Sequence, residues 1–560
     1  MLALIAFYSS VGIAYLVLPI IREFGGVLLG SRLLSTDVFL NAGILEWGYH
    51  SLFSSTRHFF DWNAGFPLSD TLAVTENLVG WQLFYYPLRL LGLGVPAAYN
   101  TVLLVSLLIA GIGSALLARR LGASRWGAAL AGLVFGYGPF HLDNIMHLQT
   151  MAVCWIPFAI LFLDRYLEKP TSRDALGLVA CVVMTVLSGI YIGVFLAITL
   201  PLYVLVSVAV KRHRWSRKTG VGLLQIGIVS AVAIIPISIP YIRFETAHGS
   251  YGASAKTLAG LSMEWLMPAR TPSFQLAWAS TPLRWSNPWD GEAAFFGLLT
   301  LIFIIVGITL LRGTSRRSVV LTLVVISLMS YLLALGPYFK TAGSGPARVI
   351  DWVPMPGRLW LLVPGVRIPS RFFFIAWLGG AILAGLGFTV LERRVKKELR
   401  LAFAMGVLLL VLLEYWPASW LSKESVVATN PMQMSDAYRF LSGETDSGGV
   451  IELPIQDEQH TRVDYGRYIY GSAGHLRRVV ALHGDHDLPI TDSLTQAAYE
   501  LPADAQRIFL ADHGVTRVVV HRNIGDASAN ARIIAELSAA GYPTLFNGSE
   551  SAVFAIPRAP

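Results

Sequence analysis

Hydrophobic residues in this chain come in long uninterrupted runs, with polar residues gathered between them. Stretches close to the roughly 20 residues needed to cross a bilayer occupy 2–21, 97–118, 126–140, 149–164, 175–190, 192–210, 219–242, 292–311, 318–336, 368–390 and 401–420. Those at 126–140 and 149–164 are short, and must continue into flanking polar residues or lie beside a water-filled cavity. After residue 421 the pattern changes. VIELP at Val450–Pro454, VVALH at Val479–His483 and RVVVH at Arg517–His521 predict strands. Ala503–Gly514 and Ser528–Ala540 predict helices closing on Gly514 and Gly541, and Asn547-Gly548 the turn of a final strand pair. The expected architecture is a polytopic α-helical membrane domain over 1–421, with about eleven transmembrane helices, followed by a small α/β domain over 422–560.

The polar punctuation orients the spans. Arg119, Arg120 and Arg125 fill one loop; Arg165, Lys169 and Arg173 the next; then Lys211, Arg212, Arg214, Arg217 and Lys218; then Arg312, Arg316 and Arg317; then Arg393, Arg394, Lys396, Lys397 and Arg400. All five fall on one side, which the positive-inside rule makes cytoplasmic. Counting Val79–Val95 as a span would invert every later loop. It is therefore read as an interfacial or re-entrant segment, with Tyr85 and Tyr86 suited to the headgroup layer. The N-terminus is then cytoplasmic, its first apolar run an uncleaved span, and the C-terminal domain extracytoplasmic. The long loops at 22–96, 243–291 and 337–367 share that outer face, which becomes the expected working surface.

Composition agrees with a membrane class. The chain is 54% hydrophobic and 14% charged, where soluble proteins carry about 25% charged residues. The net charge of +8 resides in the short basic loops and makes no nucleic-acid surface. Cys154 and Cys181 lie inside apolar runs and read as core residues. There is no glycine-rich phosphate loop and no internal repeat.

Three outer patches carry candidate chemistry. The first loop holds Asp37, Glu46, His50, Asp61, Asp70 and Glu76. Asp37 precedes Val38, Phe39 and Leu40, an apolar run expected to press it against the bilayer, where partial desolvation suits a carboxylate to act as a base. Glu46 and Asp70 read as solvated loop residues, whereas His50, Asp61 and Glu76 are substrate-binding candidates. The second patch is His141-Leu-Asp143-Asn144-Ile-Met-His147-Leu-Gln149. Asp143 is a second catalytic candidate, with His147 and Gln149 beside it. On a helix Asp143 and His147 would share a face, either as a mutually satisfied pair or as two ligands of a metal, too few to define one. The third patch, Arg367-Ile-Pro-Ser-Arg371, offers two guanidinium forks for a phosphate or diphosphate. In the C-terminal domain His483-Gly-Asp485-His486-Asp487 reads as a polar turn rather than a metal cluster, and no acid, base and nucleophile converge.

With these residues in view, the chain resembles a bacterial group of membrane proteins related to the YfhO-like and GT-C glycosyltransferases. The likeness rests on Asp37 with Asn41 and His50; on FDWNAGFP (Phe60–Pro67) and TLAVTENLVG (Thr71–Gly80); and on AYN (Ala98–Asn100). It continues through GYGPFHLDNIMHLQ (Gly136–Gln149), VRIPSRF (Val366–Phe372) and HGVTRVVVHR (His513–Arg522). The resemblance implies a multi-span enzyme of the bacterial inner (plasma) membrane whose first outer loop carries an essential acid, matched by Asp37, with Asp143 in the place of a second. It implies inverting transfer of a sugar from a polyprenyl-phosphate donor to a lipid, glycan or protein acceptor, among membrane lipids. The departing phosphate would be steadied by Arg367, Arg371 or a divalent cation. The alternatives are a flippase or exporter of a lipid-linked saccharide or cell-envelope polymer precursor, and a non-catalytic assembly factor. Transporters place charge and broken helices near midplane, whereas here polar residues collect at the outer face.

Overall fold

The computed structural model describes residues 1–30, 35–53, 58–210, 212–249, 253–272, 276–278, 284–285, 293–311, 313–341, 348–363, 365–417, 435–455, 465–483 and 488–557. Each of the apolar runs carries helix. Among the described residues seven helices are long and apolar enough to cross a membrane: Leu2–Ile20, Val95–Leu121, Thr150–Glu168, Ile190–Ala209, Arg217–His248, Arg317–Ala334 and Pro369–Arg394. Four runs form shorter helices, Arg125–Tyr137, Ser172–Ser188, Leu298–Leu311 and Arg400–Glu414. At 1.5 Å per residue these measure about 20–25 Å, short of the ~30 Å hydrocarbon core. Arg125–Tyr137 is buried along its whole length from Gly127, so its backbone is sheltered by protein rather than lipid. Local chemistry fixes the helix starts: the Ser124 and Thr171 hydroxyls accept from the Gly127 and Asp174 N–H groups at 3.0 and 3.2 Å.

By its contacts the chain separates into two units. The first comprises Met1–Ile21, Thr101–Pro236 and Tyr251–Ser425; the second comprises Arg22–Asn100, Ile237–Ser250 and Val426–Pro560. Composition alone grouped the first loop with the spans, whereas the contacts group it with the C-terminal segment.

In the first unit the helix Phe374–Arg394 is central, packing on Leu298–Leu311, Arg125–Tyr137 and Arg317–Ala334. Glycine makes the approach possible. A Cβ on Gly127 would stand 2.2 Å from the Gly385 carbonyl oxygen, and one on Gly385 2.4 Å from that of Gly127, the small-residue contact typical of membrane helices.

The second unit is built on a four-stranded sheet. Its strands lie in the order Gly449–Leu453, Val515–His521, Ser551–Ala555, Thr544–Asn547; the first two are parallel and the other neighbours antiparallel. Apolar side chains of Ile451, Val518, Val520 and Phe554, with Leu494, Leu510 and Leu537 from the helices, make its core. The helices Asp504–Asp512 and Ala527–Ala539 end before Gly514 and Gly541, whose φ of 78° and 77° favour glycine. The expected strand at 479–483 is instead a single bridging residue. Val479 pairs with Val450 on one side and Ala64 on the other. Val479 N–H donates to the Asn63 carbonyl at 2.7 Å, and Phe66 N–H to the Val479 carbonyl at 3.0 Å. The FDWNAGFP segment thus docks in strand fashion beside the C-terminal sheet. Asn63 also donates to the Ser472 carbonyl at 3.0 Å. Helix Tyr465–His475, not anticipated from sequence, packs along the first-loop helix Ser35–Ser51.

Candidate functional site

In the second unit Asp37 occupies the first turn of helix Ser35–Ser51, where a carboxylate complements the positive end of the helix dipole. It is half-buried, and the Tyr99 side chain lies beside it and Asn41. Val38, Phe39 and Leu40 do not press it on the bilayer. They are buried within the unit, Phe39 stacking on Tyr470 with centroids 5.6 Å apart. The Arg467 guanidinium lies 6.0 Å from the Phe39 ring centre.

Two turns along, Glu46 anchors the same helix. It is 4% exposed, not solvated as the sequence suggested. Arg89 donates to both of its oxygens at 2.8 Å and the Tyr85 hydroxyl donates at 2.7 Å, with His50 Nε2 at 3.0 Å. Burial alone would raise the Glu46 carboxyl, but hydrogen bonds with His50, Arg89 and Tyr85 hold it down at about 2. Tyr85, expected at the headgroups, therefore faces inward, and the helix Val79–Leu90 that carries it is 12 residues long, too short to span.

The other first-loop candidates have structural partners. The Asp61 carboxylate accepts from the Asp70 N–H at 3.1 Å, fixing the turn where Asp70 takes a φ of 53°. Glu76 is half-buried near Tyr241, whose hydroxyl donates to the Thr75 carbonyl at 2.9 Å. Asn100 of the AYN motif is fully buried and ties down the loop before it, accepting from the Leu29 N–H and donating to the Val27 carbonyl, both at 2.8 Å.

The first unit gathers the remaining candidates. Helix Pro139–Asp143 stops at Asp143, with Asn144 as its cap, so Asp143 and His147 do not share a helical face. One Asp143 oxygen accepts from the Ala293 N–H at 2.9 Å. Past His147 the chain reaches Gln149, whose carbonyl oxygen would lie 2.4 Å from a Cβ on Gly189. This contact brings the start of helix Ile190–Ala209, and Tyr191 with it, against the 147–149 turn. The Tyr191 hydroxyl accepts from the Arg367 and Ile368 N–H groups at 3.2 and 2.5 Å. The Arg371 guanidinium lies 5.9 Å from its ring centre, within cation–π range. Arg371 is 7% exposed: it is held inside the fold rather than snorkelling at its edge. Phe372 after it packs on Phe195 and Trp360, with centroids 5.1 and 5.3 Å apart. Arg367 and Arg371 thus meet on Tyr191, a residue hidden in an apolar run, two positions past the glycine that packs on Gln149. Its only sequence signal was a tyrosine at the start of an apolar span.

The C-terminal domain holds a constellation that sequence reasoning missed. Glu452 accepts from the Tyr438 hydroxyl at 2.8 Å and lies 2.7 Å from His521 Nε2, while His521 Nδ1 is 3.2 Å from the Ser551 hydroxyl. All are buried. Glu452, His521 and Ser551 come from three adjacent strands and Tyr438 from the helix Asp436–Gly443, so it is the strand order and the packing of that helix that put them together. Of the HGDHD segment, His483 is half-buried and 484–487 lie outside the described residues. Among the described residues no three His, Cys, Asp or Glu side chains are grouped so as to hold a metal ion.

Fold and helices together define a multi-pass membrane protein with a GT-C-type glycosyltransferase fold. The chain is similar to the arabinofuranosyltransferase AftD from Mycobacteria (TM-score 0.62, 14% identity), covering 99% of itself but 40% of AftD. It is also similar to ArnT from Cupriavidus metallidurans, solved bound to undecaprenyl phosphate (TM-score 0.53, 12% identity), covering 99% of each chain. No protein-family profile and no curated sequence matches it.

Proposed function

We propose that this protein is a glycosyltransferase of the bacterial plasma membrane. In this reading it takes a sugar from a polyprenyl-phosphate-type lipid at the outer face and passes it to a lipid, glycan or protein acceptor. The N-terminus and basic loops are cytoplasmic in this reading, and the 422–560 segment extracytoplasmic. The observation that carries it is the Arg367–Arg371 turn, which runs on within two residues to Phe373 in the wall of an apolar groove. The groove has a volume of about 490 Å³ and is lined by Trp265, Phe296, Ile304, Tyr331 and Phe373. A guanidinium on a turn that leads into the wall of an apolar groove suits a phosphate carrying a long hydrocarbon tail.

In the proposed reaction the acceptor hydroxyl gives its proton to the Asp37 carboxylate as its oxygen bonds to the anomeric carbon. The bond from that carbon to the phosphate oxygen breaks with inversion, and the polyprenyl phosphate leaves with the electron pair, its charge met by Arg371 and Arg367. Asp143, with one oxygen engaged by Ala293, is the second acid. His147 and Gln149 are the sugar-contact candidates of the first unit and Glu76 that of the second, while His50 and Asp61 support the first loop through the partners described above. A divalent cation on the phosphate is compatible with these roles. The buried Asp164 lends transport no support: near the end of its helix it is paired with Arg120 and Arg212 at 2.8 and 2.7 Å, the arrangement of an anchor.

The test is donor binding. Arg371→Gln should weaken polyprenyl phosphate about 10–100-fold, the worth of one charge-assisted contact, and leave binding of the uncharged polyprenol within twofold. Equal affinity of wild type and variant for the phosphate would remove the phosphate site.

A further inference from the structure

A second groove, of about 620 Å³, lies in the first unit away from the arginine turn. Leu163, Leu178, Val204 and Leu205 line one wall, and Leu223, Gly227 and Ile234 of helix Arg217–His248 the other. These residues sit toward the helix ends that carry the basic loops, whereas the outer groove lies toward Trp265, Tyr331 and Phe373. From Leu223 to Ile234 the helix rises about 16 Å, matching the ~15 Å hydrocarbon depth of one leaflet. A Cβ on Gly227 would meet nothing within 4 Å, so the groove floor is open there. Arg217 and Lys218 stand about 8–9 Å before Leu223 along the helix, with Arg214 and Trp215 just ahead of its start, all four exposed. Their neighbours Arg212 and His213 are already committed to Asp164, at 2.7 and 3.0 Å. No acidic residue interrupts Lys211–Lys218.

We infer that this groove is a binding site for an anionic glycerophospholipid of the basic-loop leaflet: one acyl chain fills the groove and the phosphate rests on Arg214, Arg217 and Lys218. Length and charge both select this occupant. An acyl chain spans one leaflet, and a cationic rim with an aromatic residue at the interface favours an anionic over a zwitterionic headgroup. The site is separate from the proposed donor site and does not depend on the transfer reaction.

The full chain, purified in mild detergent, would be offered phosphatidylglycerol or phosphatidylcholine and the retained lipid counted by native mass spectrometry. One phosphatidylglycerol should remain bound, preferred about tenfold or more over phosphatidylcholine. Gly227→Trp, which fills the groove, should abolish retention. The exposed triple substitution Arg214→Gln, Arg217→Gln and Lys218→Gln, which leaves the groove intact, should reduce the preference to within twofold. Equal retention of the two lipids by wild type, an unchanged preference in the triple variant, or a polyprenyl phosphate retained in place of the phospholipid would each overturn the inference. So would undiminished retention by folded Gly227→Trp protein.

Discussion

Replacing Glu46 with alanine tests how the helix bearing Asp37 is held. The substitution removes an acceptor that is 4% exposed and leaves the Tyr85 hydroxyl, fully buried, and the Arg89 guanidinium, 19% exposed, without their carboxylate. Breaking one side of a buried ion pair costs about 3–5 kcal/mol. The partial exposure of Arg89 and the retained Tyr86 contact, its hydroxyl on the Gly48 carbonyl at 2.9 Å, place the expected loss near 3 kcal/mol. For a unit of this size that is a fall in Tm of about 6–12 °C. Thermal unfolding in detergent reads the loss, and hydrogen exchange along Ser35–Ser51 should localise it. Glu46→Met combined with Arg89→Met should recover most of it, because an apolar pair leaves no charge uncompensated. A melting change below about 2 °C in Glu46→Ala, with unchanged exchange, would refute the anchoring role.

Asn63→Ala should release the docked first-loop segment from Ser472, costing about 1–3 kcal/mol and exposing 58–75 to limited proteolysis; an unchanged digest contradicts this. Gly127→Leu, with its Cβ 2.2 Å from the Gly385 carbonyl oxygen, should prevent recovery of folded protein in detergent, and a normal melt would contradict the close helix contact. Acid should destabilise the second unit in two stages. Burial, then the Arg477 charge, lowers the His475 imidazole from its ordinary 6.5 to about 3, so its contribution is present above pH 6.5 and lost as pH falls toward 3. Glu46, lowered from 4.5 to about 2, adds a loss of about 3 kcal/mol between those values; a melting temperature constant from pH 7 to 4 would contradict the first stage.

The spans were legible because burial in lipid leaves a one-dimensional record: apolar length and basic ends. The C-terminal strands at 450–454 and 517–521 were legible for a similar reason, since β-branched runs between turn residues leave few alternatives. Val479–His483 carried the same signal and formed only a bridge at Val479, shared between Val450 and Ala64, the latter more than 400 residues earlier in the chain. Contacts of that separation leave no local trace. Glu46 shows the limit again. A glutamate in a polar loop reads as solvated until Arg89, Tyr85 and His50 are placed around it. Tyr191 and the Glu452–His521–Ser551 group are likewise products of packing and strand order. Asp37, Arg367 and Arg371 were picked out as charged residues at an expected membrane surface; the supports that fix them became visible only in the fold.

The account turns on Asp37 acting as the base in sugar transfer. The measurement is transfer from a polyprenyl-phosphate sugar donor per folded molecule in nanodiscs, wild type against Asp37→Asn, with donor binding followed in parallel. Asparagine keeps the size and removes the proton acceptor, so transfer should fall about 10²–10⁴-fold while donor binding stays within a few-fold and the melt is unchanged. Transfer by the folded Asn variant at near the wild-type rate would contradict the account.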